Sequence, residues 1–306
     1  MLIHFVHLGD AYLPELQAYA EHVRAAGHEA QLHRQTDTLP NDAAVLWWMC
    51  GQVSRHMASR YPAAFHIHEY ASTSVPPLAW LKDRVKRMRQ PLPQFRIFQN
   101  EWVRQRMGFT DAVPCEFRDM GIALEFFDGP QAPLRAEFDF VYLGEMRRLQ
   151  HFLPVFDGIA QAGKSVLLVG DLPDELGRQL RRHTRLSVTG RVPHSDVPKH
   201  LRRARHGLNL VPDQLPYTHQ TSTKLLEYCA AGLSVVSTDY AWVREFEQQH
   251  GARFAYVPFL ADAANYGVLL GTALDEQHWV VPDVRALGWP RLLAGLQIWR
   301  RIGLHA

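Results

Sequence analysis

Short apolar runs alternate with amphipathic stretches along the first half of the chain. Leu2–Leu8, Glu29–His33, Ala43–Met49, Phe65–His68, Phe95–Gln99 and Val113–Phe117 each read as a strand of four to eight residues. Between the first two, positions 14 to 26 carry helical spacing from Pro14 to Ala26, and Gly27 stops the helix. A further helix is predicted after Asn100. Strands that alternate with helices imply a parallel sheet covered on both faces.

The stretch 127–136 carries two prolines and a glycine with no periodicity, and reads as an interdomain linker and hinge. Beyond it the same alternation restarts. Strands are predicted at Phe138–Leu143, Ser165–Val169, Leu186–Thr189, Gly207–Val211, Ser234–Thr238 and Phe254–Val257. Helices are predicted at Leu149–Ala162, Val197–Ala204 and Trp289–Leu304. The expected class is α/β, with two Rossmann-like, doubly wound parallel-sheet domains facing a cleft. The expected boundaries are 1–126, a linker over 127–136, 137–288, and a C-terminal helix over 289–306 that packs back toward the first domain. Ligands of such sheets sit at the carboxyl ends of strands, where glycine lets them approach. Gly144, Gly170-Asp171 and Gly190-Arg191 hold those places here.

The most informative segment runs from Tyr217 to Asp239. A polar loop precedes a helix, Gly232 ends it, and a short buried strand follows. A helix start offers unpaired backbone N–H groups to phosphate, so Thr221, Ser222, Thr223 and Lys224 are candidate ligand contacts. Leu225/Cys229 and Leu226/Ala230 form an apolar stripe four residues apart. Lys224, Glu227 and Tyr228 fall on the neighbouring face, where the Glu227 carboxylate can accept hydrogen bonds from a vicinal diol. An amphipathic helix with a Lys–Glu pair is the plainer reading of the same spacing.

Composition narrows the function class. The 306 residues are 47% hydrophobic and 21% charged, and the formal charge is +2, so no global basic field calls for nucleic acid. Three separated cysteines, Cys50, Cys115 and Cys229, suggest reduced thiols and a cytoplasmic setting. The N-terminus reads as a strand rather than a signal peptide, and no helical metal-ligand pair accompanies the 17 histidines.

Taken in order, Val141-Tyr-Leu-Gly144, Arg147-Arg148, Val166-Leu-Leu-Val-Gly-Asp171, Val188-Thr-Gly190, Leu208-Asn-Leu-Val-Pro212, Lys224-Leu-Leu-Glu227 and Ala231-Gly-Leu-Ser-Val-Val-Ser-Thr-Asp239 resemble the C-terminal half of family-4 retaining glycosyltransferases of the GT-B fold. The resemblance spans residues 138–245 and is looser over 1–122. It implies a nucleoside diphosphate sugar donor, UDP or GDP, as substrate and no cofactor or metal. It assigns Glu227 to the ribose hydroxyls. His219 stands where the family's E-x7-E motif has its first acid, so the motif is broken here. Arg148, and next to it Arg147, match the basic pair that neutralises the leaving diphosphate. His68 matches a histidine near the donor sugar, and Gly9 a glycine loop near the phosphates. The chemistry implied is transfer to a hydroxyl on a glycan, lipid-linked or small-molecule acceptor, as in bacterial surface-polysaccharide synthesis. A nucleotide-sugar epimerase of the same fold and a non-catalytic nucleotide-sugar-binding subunit are the alternatives.

Residues 80–89 carry five positive charges interleaved with apolar positions. Two readings fit: peripheral contact with the inner membrane face, or a solvated basic helix. No motif for nucleic-acid binding accompanies these charges. Trp47-Trp48 reads as core.

Overall fold

A computed structural model describes residues 1–9, 12–49, 53–129, 136–180, 185–259, 262–271, 274 and 278–304. The expected hinge therefore falls partly outside the described residues. The chain folds as two units, one formed by Met1–Gly121 with Leu287–Ala306 and the other by Ile122–Ala286.

The first unit holds six parallel strands, β1 (Leu2–Val6), β2 (Glu29–His33), β3 (Val45–Met49), β4 (Phe65–Tyr70), β5 (Phe95–Phe98) and β6 (Cys115–Phe117), in the order β2-β1-β3-β4-β5-β6. Its helices are α1 (Pro14–Ala25), α2 (Arg55–Ser59), α3 (Ala79–Arg89) and α4 (Glu101–Met107). The central strands are buried on both faces, as parallel sheets require, and β3 is buried at every position, including Trp47 and Trp48. Asn100 caps α4 by accepting from the Val103 N–H at 3.0 Å, and Ser54 caps α2 in the same way at 3.1 Å.

A buried polar network lies beneath this core. Arg118, 0% exposed, meets Glu69 and, at 3.4 Å, Glu15. Its Nε donates to the Tyr19 hydroxyl at 3.0 Å. Tyr19 donates in turn to Glu69 Oε2 at 3.1 Å, and the Trp47 indole donates to the same oxygen at 2.7 Å. Trp289 packs against Arg118, and Trp299 against Tyr19 and Trp47.

The second unit repeats the design with β7 (Phe138–Leu143), β8 (Val166–Val169), β9 (Leu186–Val188), β10 (Ala204–Asn209), β11 (Ser234–Thr238) and β12 (Ala255–Val257), ordered β12-β11-β10-β7-β8-β9. Around it run α5 (Leu153–Gln161), α6 (Asp174–Leu180), α7 (Val197–Leu201), α8 (Thr223–Ala230), α9 (Ala241–His250) and α10 (Ala263–Leu270). Its core gathers Phe140, Tyr142, Phe156, Leu168, Leu208 and Val236 from the sheet and α5.

Four local expectations change. Strand β4 continues through Glu69 and Tyr70, which pair with β5, so His68 lies inside the strand rather than at its end. Helix α7 stops at Leu201, and Ala204 opens β10 by pairing with Phe138. The helix expected from Leu149 begins as a 3-10 turn, Met146–Phe152, and becomes α-helical at Leu153, whose successor Pro154 suits a first turn. The helix expected over Trp289–Leu304 is two short ones, α11 (Trp289–Ala294) and α12 (Ile298–Arg301), parted at Gly295. Glu116 satisfies the restart by accepting from the Gln297 and Ile298 N–H groups at 2.7 and 3.0 Å.

Candidate functional site

In the second sheet the chain reverses its winding between β7 and β10, and the crevice at such a switch point is where open parallel sheets bind ligands. Two glycines end the strands beside it, and only Gly144 leaves open space. Gly144, after β7, has φ +121° with open space where a side chain would stand, and Gly170, after β8, has φ +144°. A side chain at either place would be strained in that backbone conformation.

Helix α8 carries the candidate residues Thr223, Lys224 and Glu227. Its position is set by Tyr228, whose ring lies over Gly207 of β10 so closely that a Cβ there would come within 2.4 Å of ring carbons. The Tyr228 hydroxyl accepts from the Leu143 N–H at 2.9 Å and donates to the Leu208 carbonyl at 3.3 Å. The helix is thereby pinned to both strands of the switch point. At its start, Ser222 is spent on structure: its hydroxyl caps the Leu225 N–H and donates to Asn209 Oδ1 at 2.7 Å. Asn209 continues the network to Ser237 and Tyr240.

Glu227 projects from the next turn with its side chain 14% exposed, and its Oε1 lies 3.0 Å from His194 Nε2. Burial pushes the Glu227 carboxyl above its ordinary value, against the opposing pull of His194. Burial also acts to lower His194, but its hydrogen bond to Glu227 and the charges of Glu227 and Glu125 outweigh this and raise it. The His194 ring also rests on Phe126, with centroids 5.1 Å apart. Sequence reasoning missed His194, which is 33 residues from Glu227; its place just after β9 and Arg191 is the one signal that pointed there.

Cations gather on the other side of the helix start. Arg148 lies over the Tyr217 ring at 4.7 Å. Lys224 is buried, donates to the Leu210 carbonyl at 2.9 Å and faces the Tyr142 ring at 4.6 Å. Burial and the neighbouring charge of Arg148 push the Lys224 ammonium down to about 7. Arg147 is exposed, and its N–H is capped by Glu145. The Arg191 N–H donates to Asp171 at 2.9 Å, which draws the loops after β8 and β9 together. His219 closes a 3-10 turn, Tyr217–His219, and is half-buried, as is Thr223 at the first position of α8; Thr221 is buried.

The remaining two candidates belong to the first unit. His68 is 0% exposed and held neutral: burial, then His66 and Arg96, lower it to about 3. In this structure the ring is enclosed by the core and contacts Tyr70, so it presents no surface to a ligand. Gly9 is exposed after β1, and its carbonyl accepts from Arg34 at 3.1 Å.

The same architecture recurs in solved structures. The glycosyltransferase AviGT4, involved in avilamycin A biosynthesis, matches with TM-score 0.62 and 15% identity over 98% of this chain and 97% of that one. Sucrose-phosphate synthase of Thermosynechococcus elongatus matches with TM-score 0.66 and 14% identity, covering 98% and 96%. Anabaena HepE in complex with UDP-glucose matches with TM-score 0.65 and 11% identity, covering 99% and 96%. The fold is GT-B. Within it, residues 137–265 match the model of the family described as glycosyl transferases group 1. That segment contains β7 through β12 with all of α8, and so the whole switch-point site of this GT-B chain. Comparison with curated proteins gave no match. Among the described residues, no cluster of three or more His, Cys, Asp or Glu is placed to hold a metal ion, and no helix is long and apolar enough to cross a membrane.

Proposed function

We propose that this protein is a glycosyltransferase that moves a sugar from a nucleoside diphosphate sugar, UDP or GDP, to a hydroxyl acceptor with retention and without a metal. The observation that carries the reading is Glu227: a largely buried carboxylate, oriented by His194, on the helix pinned at the switch point of the second sheet. A ribose diol suits such a group, because two vicinal hydroxyls can donate to two carboxylate oxygens. The diphosphate suits the start of α8, where first-turn N–H groups lack intrahelical partners and Arg148 and Lys224 lie beside them. Arg147, Thr221, Thr223, His219, Gly144, Gly170 and Arg191 complete the donor side in this reading. Support also comes from the group 1 match over this unit and from HepE, which was solved with UDP and with UDP-glucose.

In the reaction, the bond between the anomeric carbon and the β-phosphate oxygen breaks. The acceptor oxygen bonds to that carbon on the same face, and its proton passes to the departing phosphate. Negative charge grows on the leaving diphosphate, and fixed cations at Arg148 and Arg147 favour that state over the substrate. The acceptor would be a surface glycan, a lipid-linked precursor or a small molecule. A cytoplasmic enzyme in peripheral contact with the inner membrane face through residues 80–89 completes the reading.

Calorimetry of UDP and GDP against wild type and Glu227→Ala tests the central assignment. Hydrogen bonds to a charged group contribute roughly 1.5–3 kcal/mol each, so loss of two should weaken binding by about a hundredfold or more. Unchanged affinity would remove Glu227 from the ribose. Proton NMR of the product's anomeric configuration tests retention. Turnover of a nucleotide sugar without acceptor, giving an epimer, would replace transfer by epimerisation.

A further inference from the structure

Helix α3 is turned the opposite way from an ordinary surface helix. Its one acid, Asp83, faces inward, 4% exposed, and accepts from the Ser74 N–H at 3.0 Å. Of its large apolar residues, Trp80, Leu81 and Met88 face outward, and Val85 is half-buried. Leu81, Val85 and Met88 follow one another at helical spacing on a single stripe, with Trp80 beside it. Trp80 is 59% exposed and Met88 64%. The flanking turns add Val75, Leu78 and Leu92. Six of the sixteen exposed large apolar side chains among the described residues thus fall between positions 75 and 92. A concentration of that kind marks a contact surface rather than ordinary scatter.

Charge marks the same place. Lys82, Arg84, Lys86, Arg87 and Arg89 against Asp83 give the segment +4, while the whole chain carries +2, so everything else sums to −2. None of these five cations forms an ion pair among the described residues; Lys82 and Arg87 donate to backbone carbonyls instead. Next to the stripe, a cavity of about 640 Å³ lies between α2 and α3, with Val53, Met57, Val85 and Met88 as apolar walls and Arg55 and Lys86 beside them.

We infer that the outward face of α3 is a membrane-insertion face. It seats the first unit on an anionic lipid surface, with Trp80, Leu81 and Met88 entering the acyl boundary and Arg84 and Arg89, on either side of them, meeting lipid phosphates. The chemistry favours a bilayer over a folded partner because the apolar side chains stand out from a convex helix and are ringed by one sign of charge. The inference rests on the peripheral contact proposed above and adds an apolar anchor to a purely electrostatic one. It is independent of the nucleotide assignment.

Co-sedimentation of the full chain with vesicles tests it, using phosphatidylcholine alone and phosphatidylcholine mixed equally with phosphatidylglycerol. Binding to the mixed vesicles, with a blue shift of tryptophan emission that Trp80→Phe removes, is the expected result. Arg84→Ala and Arg89→Ala should each weaken binding about fivefold, from about 1 kcal/mol per cation near the surface. Leu81→Gln with Met88→Gln should abolish the binding that survives added salt. These positions are exposed, so the variants should keep the parent melting temperature, and Glu227→Ala should bind vesicles like wild type. No vesicle binding overturns both the membrane contact and the insertion face. Binding that is wholly reversed by salt and indifferent to Leu81→Gln/Met88→Gln keeps the contact and overturns insertion. A dimer in sedimentation that the same double variant dissociates overturns the lipid assignment in favour of a second copy of the chain.

Discussion

Replacing Arg118 by Met should destabilise the first unit more than any single surface change. The guanidinium is fully buried between Glu15 and Glu69, whose side chains are 1% exposed, and it also donates to Tyr19. Methionine fills similar volume but supplies no donors. Two carboxyl groups and a phenol then share an interior with one cation fewer. Removing one partner of a buried ion pair costs about 3–5 kcal/mol, mostly from the group left behind. For a domain of this size, that corresponds to a melting temperature lowered by roughly 10–20 °C. Urea unfolding followed by tryptophan emission reads the right unit, because six of the eight tryptophans, Trp47, Trp48, Trp80, Trp102, Trp289 and Trp299, belong to it. A companion variant, Arg118→Met with Glu15→Gln and Glu69→Gln, removes the stranded carboxyls and should recover much of the loss. If Arg118→Met shifts stability by less than about 0.5 kcal/mol, as an ordinary surface substitution would, the network does not hold the unit together. If the triple variant is no better than the single one, the cost lies in lost packing rather than in unpaired charge.

Two further outcomes concern the second unit. The Lys224 ammonium lies at about 7 when folded against an ordinary 10.5, so between those values the unfolded chain holds a proton that the folded chain has released. Stability therefore rises with pH across that window, and Lys224→Met should flatten the rise in urea midpoints; an unchanged slope would refute the buried assignment. Gly207→Ala drives a methyl into the Tyr228 ring, and such overpacking costs about 1–3 kcal/mol. Nucleotide affinity should fall with it, and a variant that melts like wild type would show that α8 is not seated there.

Much of the GT-B framework was legible because buried parallel strands leave short apolar runs ended by glycine or polar pairs. The run Ser234–Thr238 behind Gly232 coincides with β11, and Phe138–Leu143 coincides with β7. What escaped the sequence depends on distance along the chain or on direction. His194 meets Glu227 across 33 residues, and Arg118 meets Glu15 across 103, contacts made by crossovers that no local period encodes. Ser222 looked like a phosphate ligand because a cap and an anion site call for the same residue type; its bond to Asn209 distinguishes them. The Leu81/Val85/Met88 stripe of α3 has the spacing of a buried face, and spacing carries no sign for inside or outside. His68 was misplaced because β4 runs two residues further than its apolar run, ending in Glu69 and Tyr70, a polar pair drawn inward by Arg118 and Gln90.

Under the proposed donor assignment, the Tyr228 hydroxyl has a consequence for how donor preference can change. One side chain fastens α8 to two strands at once, and Glu227 is its immediate neighbour. The backbone that carries the carboxylate is therefore tied to the sheet. Between β10 and α8 the chain runs through Leu210–Ser222 with a single 3-10 turn. Altered sugar selectivity, by laboratory evolution or by descent, should accumulate in that loop and leave Gly207, Glu227 and Tyr228 untouched.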